Sequence, residues 1–233
     1  MNGRLKAFID RALDLLFPKH LKCQSCGREA EINEYGLCAD CESKLVILDE
    51  TSTPSVIEYV DGAWSALLYN ETARRAVIDM KFHGAAYNKE FLSHFMNIPE
   101  GVCADCIVPV PLHPNRQRER GYNQSALLAK ELSKKTGVPV REDLLIRVKD
   151  TPMQSHATKA EREKNVKNAF RASENCAGMT IVLVDDVRTT GSTLKECAKQ
   201  LKKHGAKAVY AVTACCSKEY AGAAASTGEK QTI

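Results

Sequence analysis

The chain has 233 residues, 44% apolar and 27% charged, with ten cysteines and a formal charge of +4. That composition excludes a disordered chain, and the length suits one main domain with a small appendage. The mild basic surplus permits nucleic-acid or polyphosphate partners without demanding them. No apolar run reaches the length of a bilayer span, so no transmembrane segment is expected.

At the N-terminus Leu5, Phe8, Ile9, Ala12, Leu15 and Leu16 recur at helical spacing, while Asp10 and Asp14 interrupt the stretch and no small-residue cleavage site follows. A short amphipathic helix stopped near Pro18 is expected rather than a signal peptide. Docking on its own domain is preferred to a membrane-surface or partner-docking role, and the expected compartment is the cytoplasm. Next come CQSC (Cys23, Cys26) and CADC (Cys38, Cys41), with eleven residues between the pairs. Each C-x-x-C places two thiolates on one side of a metal, and four sulfurs complete a tetrahedral Zn²⁺ site. A segment so poor in large apolar groups folds on metal binding. A structural zinc ribbon is therefore preferred to a redox dithiol pair.

DETSTPS, residues 49–55, is the expected join between a helix-and-ribbon unit (1–50) and the main domain (51–220). VIEYV and WSALLY read as a strand pair, and NETARRAVIDMKFHG as a capped helix ending near Gly84. A second CADC, Cys103 and Cys106, lacks a partner pair and reads as small residues leading into the buried strand CIVPVPL. NQSALLAKELSKKTG is a helix starting at Asn123 or Ser125 and closed by Gly137. PVREDLLIRV holds another strand. Residues 149–171 are long and charged, with a functional loop expected first and a helix from Lys159 onward. IVLVDD is a strand, STLKECAKQLKKHG a helix closed by Gly205, and AKAVYAVTACC a final strand. Cys176, Cys197, Cys215 and Cys216 read as core filler or incidental surface thiols. The tail over 221–233 is expected to be disordered. Strands apolar on both faces, alternating with helices, give an α/β fold with a parallel sheet covered by helices.

In such a sheet, ligands bind at the carboxyl ends of the strands, where Asp185 and Asp186 are expected. Adjacent carboxylates are poor core residues but suit ribose hydroxyls, or a Mg²⁺ shared with a phosphorylated sugar. VRTTGST follows, with the hydroxyls of Thr189, Thr190, Ser192 and Thr193, Gly191 for close approach, and a helix N-terminus that attracts phosphate. A Walker B reading fails for want of a G-x-x-x-x-G-K-[ST], and no G-x-G-x-x-G supports a dinucleotide fold.

VLVDDVRTTGST resembles the phosphoribosyl-pyrophosphate (PRPP) loop of type I phosphoribosyltransferases. With the four cysteines, KFHG at 81–84, VPVPLHPNRQRERGYNQS at 108–125 and TPMQS…ER..N…F from 151 to 170, the chain is identified as a member of the ComF family. The resemblance implies a type I phosphoribosyltransferase-like sheet with an N-terminal zinc ribbon, binding PRPP with Mg²⁺. Asp185 and Asp186 would be the catalytic acids on the ribose hydroxyls. Val187, Arg188, Thr189, Thr190, Gly191, Ser192 and Thr193 would form the PRPP loop, although Arg188 stands where such loops vary and takes no assigned role. Leu112 and His113 would be the pyrophosphate loop, with Arg116, Arg118 and Arg120 offering charge to the diphosphate. Gln154, Arg162 and Asn165 fall on the flexible-loop pattern, and His156 and Ala157 stand where relatives often carry small and apolar residues.

The implied biology is natural transformation, meaning uptake or processing of single-stranded DNA. The implied activity is phosphoribosyl transfer to an unidentified acceptor. Glutamine-dependent relatives use an N-terminal cysteine where this chain has Asn2, so ammonia release from glutamine is not expected. The alternative is a non-catalytic nucleic-acid-binding or regulatory protein on the same fold. For that reading, Lys195, Lys199, Lys202 and Lys203 can share one helix face along a phosphate backbone, and a solvated face explains them equally well. Few aromatics, such as Tyr122 or Tyr210, offer stacking platforms. The ribbon is open to holding DNA, to holding a helicase-like partner, or to stabilising the fold alone.

Overall fold

The computed structural model describes residues 22–48, 56–151, 159–173 and 176–221. The expected N-terminal helix, the join at 49–55, Gln154 and the tail from 222 lie outside them, as does the side chain of Arg162. The sheet strands are β1 (Gly62–Leu68), β2 (Cys106–Pro109), β5 (Thr180–Arg188) and β6 (Ala208–Cys216), in the order β1-β6-β5-β2. Every pairing is parallel, as strands buried on both faces require.

The alternation of β5 divides the core. Val182 and Val184 pack with Ala76, Val77 and Met80 of α2 (Glu71–Phe82) and Leu128 and Leu132 of α5 (Gln124–Thr136). Ile181 and Leu183 face the other way, against Leu194, Cys197 and Leu201 of α7 (Ser192–Lys203). Each such side chain, fully buried, contributes about 1.5–3 kcal/mol relative to exposure. Asn70 caps α2 by accepting from Ala73 N, and Asn123 caps α5 by accepting from Ser125 N, as helix N-termini require. Both sheet edges are covered. Leu48 N donates to Ala66 O and Leu68 N to Val46 O beside β1, while Ile107 N donates to Pro139 O and Arg141 N to Ile107 O beside β2.

Three expectations are corrected. VIEYV is a turn and not a strand: Ile57 bridges Val60, and Tyr59 has φ 69°. This segment runs beside α7, where Glu58 pairs with Lys195 and Asp61 with Lys202. PVREDLLIRV holds a strand as expected, but that strand does not join the parallel sheet. Val140 bridges Ile107, and β3 (Leu145–Arg147) forms a separate antiparallel pair with β4 (Phe170–Ala172). Asp185 and Asp186 do not end their strand, because β5 continues beside β6 to pair Arg188 with Cys216. They do lie just beyond the end of β2, whose last partner is Val184. On the lysine face of α7, besides the two pairs above, Lys199 lies 3.5 Å from Glu196.

The sequence reading missed α3 (Asn88–His94) and α4 (Pro114–Arg120). It found α6 (Lys159–Val166), which packs on α7. A short helix, α1 (Ala39–Glu42), carries Cys41. The four-cysteine segment shares the α2–α5 core: Leu37 is fully buried there, Tyr35 lies 4.7 Å from His94 and 5.1 Å from Phe95, and Ser25 Oγ donates to Thr72 O.

Candidate functional site

Asp185 and Asp186 are adjacent and buried, 9% and 3% exposed, a placement that needs compensating partners. Asp185 Oδ1 accepts from Ser125 Oγ at 2.9 Å and from Asp186 N at 2.9 Å. Asp186 Oδ1 accepts from Val187 N at 2.7 Å, and Lys81 Nζ lies 2.7 Å from Asp186 Oδ2. Burial, reinforced by the charge of Asp186, pushes Asp185 up to about 7, against the pull of Lys81 and Ser125. Burial opposes the Lys81 charge, but Asp186 outweighs it and raises the Lys81 pKa. Near pH 7 the acids therefore carry less than two full charges, and Lys81 balances one of them.

Past the acids the chain turns into α7 through Gly191, at φ 76°. The turn requires glycine twice over: that φ disfavours any side chain, and a Cβ would stand 2.9 Å from Ile57 Cδ1. Thr190 Oγ1 and Ser192 Oγ are 2.6 Å apart, Ser192 N donates to Thr190 Oγ1, and the first helical bond is Lys195 N to Gly191 O. No side chain caps this helix, so its leading N–H groups and dipole are available to an anion. Arg188 is turned elsewhere. Its buried side chain donates to Tyr220 O at 2.6 Å.

The segment after β2 gathers cations. His113 caps α4 by its ring Nδ1, 3.4 Å from Asn115 N, and that nitrogen lies 3.3 Å from Asp150. A bare Nδ1 accepts from the amide, whereas a protonated one donates to the carboxylate. Arg116 donates to Thr151 O and stands 3.7 Å from Asp150. Arg147 donates to Thr151 Oγ1 at 2.6 Å, with its guanidinium 5.4 Å from the centre of the Phe170 ring. Leu112, with Pro109, Pro111, Pro114 and Arg147, lines a groove of about 180 Å³ here. Arg118 and Arg120 diverge. Arg118 is exposed and donates to Asn115 Oδ1, while Arg120 donates to Gln124 and stands over the Phe82 ring. Asn165 is half-buried on α6.

Lys81, Ser125, Arg147 and Asp150 escaped sequence reasoning. Lys81 and Ser125 lie far from the acids in sequence, and only the KFHG and GYNQS motifs marked their neighbourhoods.

The sulfurs of Cys23, Cys26, Cys38 and Cys41 lie within 4.8 Å of one another. A tetrahedron with metal–sulfur arms of ~2.3 Å has edges of ~3.8 Å, and Cys26 Sγ is 3.8 Å from Cys38 Sγ. Cys38 N donates to Cys23 Sγ. Burial raises the Cys26 thiol, but Arg28, whose Nε donates to its sulfur at 3.4 Å, outweighs this and leaves it at about 6. Four converging sulfurs, one of them poised as a thiolate, fit structural zinc. Outside this cluster Cys103 is exposed, and Cys106, Cys176, Cys197, Cys215 and Cys216 are buried.

The sheet, the acid pair and the glycine-capped helix agree with a match to the phosphoribosyl transferase domain over residues 123–231, which defines the class: a phosphoribosyltransferase-fold protein with an added four-cysteine cluster. The chain is 32% identical over 188 residues to competence protein ComFC of Bacillus subtilis, covering 78% of this chain and 72% of that one. It belongs to the ComF family. Competence protein F of Haemophilus influenzae is 39% identical over 120 residues, half of each chain. The DNA utilization protein YhgH of Salmonella typhi is 41% identical over 111 residues, 48% of this chain and 49% of that one. The chain thus spans about half the length of these two relatives. A solved glutamine PRPP amidotransferase from B. subtilis aligns with TM-score 0.36 and 21% identity, over 62% of this chain and 28% of that one. Among the described residues no helix is long and apolar enough to cross a membrane.

Proposed function

We propose that this protein binds PRPP in the crevice beside β5 and transfers its phosphoribosyl group to an acceptor, in the service of DNA utilization. The carrying observation is the buried Asp185–Asp186 pair, level with the end of β2 and followed at once by the uncapped N-terminus of α7. Carboxylates accept from a ribose diol, and free helix N–H groups donate to a 5-phosphate. In this reading Thr189, Thr190, Ser192 and Thr193 surround the phosphate, and Val187 and Arg188 contribute backbone alone. Leu112, His113 and Arg116 meet the diphosphate. As pyrophosphate leaves C1, cations fixed around it offset the growing charge, and the acids hold the ribose in place for attack.

Mg²⁺, when bound with PRPP, neutralises diphosphate charge. Because Lys81 and Ser125 already occupy the acids, the metal's ligands would come largely from the sugar phosphate's own oxygens and water, as this hard ion prefers. Residues 51–220 form the proposed catalytic domain. The ribbon at residues 22–48 holds the α2–α3 corner. The DNA role rests on the names of the relatives and not on the α7 lysines, of which Lys195, Lys199 and Lys202 lie against acids. Calorimetry with PRPP and Mg²⁺ tests the reading: wild type binds, Asp185→Asn/Asp186→Asn does not, and a pyrophosphate-release assay then identifies acceptors. Absence of PRPP binding by wild type refutes it.

A further inference from the structure

Asp150 is the unexpected member of the cation cluster. It arrives from the segment after β3 and sits against the start of α4, where Asn115 Nδ2 donates to its Oδ2 at 2.7 Å. His113 Nδ1 lies 3.3 Å from the same oxygen, and Arg116 Nε is 3.7 Å from the other. Thr151 continues the contact, taking Arg116 on its carbonyl and Arg147 on its hydroxyl. Donation by Asn115, with the charges of His113, Arg116 and Arg147, holds the Asp150 carboxyl below the usual carboxylate range. One carboxylate thus faces the Arg116 guanidinium and the His113 imidazole, the two side chains that the proposed function assigns to diphosphate.

We infer that Asp150 is an affinity-setting residue of the diphosphate subsite: an internal anion that occupies His113, Asn115 and Arg116 and that an incoming diphosphate must displace. This rests on the reading of Leu112–Arg116 as the diphosphate loop. A diphosphate carries more charge than one carboxylate and presents more acceptor oxygens, so it wins the exchange, but its net affinity is lowered by the contacts it replaces. The same competition speeds departure of the product, because the carboxylate is at hand to retake the donors.

The test is a titration of inorganic pyrophosphate with Mg²⁺ into wild type, Asp150→Asn, Arg116→Ala and the double variant. Asparagine keeps the size of the side chain and an oxygen for Asn115, and removes the charge. Asp150→Asn is expected to bind pyrophosphate about fivefold more tightly, and the gain should vanish in the Arg116→Ala background. Equal or weaker binding by Asp150→Asn overturns the inference and leaves the diphosphate assignment standing. So does a gain of the same size with and without Arg116. If no variant binds pyrophosphate, the assignment of Leu112–Arg116 falls and the inference falls with it. Asp150→Ser makes the same comparison should the asparagine variant fail to fold.

Discussion

Lys81 Nζ lies 2.7 Å from Asp186 Oδ2, joining the end of α2 to the centre of the sheet. The ammonium is the countercharge that lets β5 carry an acid where its neighbours are valines and leucines. Removing one member of a buried pair strands the other, at a cost of about 3–5 kcal/mol. Lys81→Met should therefore lose about 3 kcal/mol in urea denaturation, and Lys81→Met/Asp186→Asn should recover much of it. Equal destabilisation in the single and double variants would contradict the pairing.

Asp185 gives the site a pH dependence of definite sign. Its folded pKa, about 7, lies above its ordinary value of 3.8, so between those values the folded protein holds a proton that the unfolded chain releases. This group's contribution to stability falls as pH rises from about 4 to 7. Asp185→Asn removes the penalty while keeping an oxygen for Ser125. Thermal melts should show the variant more stable than wild type by about 4 °C at pH 8 and little changed at pH 4.

Gly191→Ala should damage the phosphate turn in two separable ways. The positive φ costs about 1–2 kcal/mol for a residue with a side chain, and the new methyl meets Ile57. A drop in PRPP affinity of tenfold or more, by order of magnitude, is expected from calorimetry. Ile57→Ala in the same background should return only the steric part.

Metal removal should be felt by the whole chain. Because Cys23, Leu37, Cys38 and Cys41 share a core with α2, α3 and α5, chelation or Cys23→Ser should lower a single melting transition by about 10 °C or more, with metal content falling in step. Two well-separated transitions would show instead that the ribbon unfolds alone.

The parallel strands were legible because β5 and β6 are apolar on both faces, and α2 and α5 because Asn70, Asn123 and Gly137 punctuate them. The candidate phosphate turn could be singled out because its chemistry is local: two acids, hydroxyls and a glycine within nine residues. VIEYV misled because alternating apolar residues look alike in a strand and in a turn that packs Ile57 on Gly191. The α4 helix was hidden by composition, since PNRQRER has no apolar stripe and none of its residues is buried. Lys81 and Asp150 were invisible as partners because each is an ordinary charge in sequence. Only folding brings Lys81 to Asp186 and Asp150 to the turn of His113, and likewise it is folding that pairs Lys195 with Glu58.

The segments bridged to the sheet edges at residues 46–48 and 139–141 have an outcome for assembly. A sheet with bare margins can be lengthened by another chain's backbone, and here Ala66 O and Leu68 N on one outer strand and Ile107 N and O on the other are already taken by segments of the same polypeptide. A homodimer built by continuing the sheet directly from β1 or β2 of one subunit into the next is disfavoured at those positions.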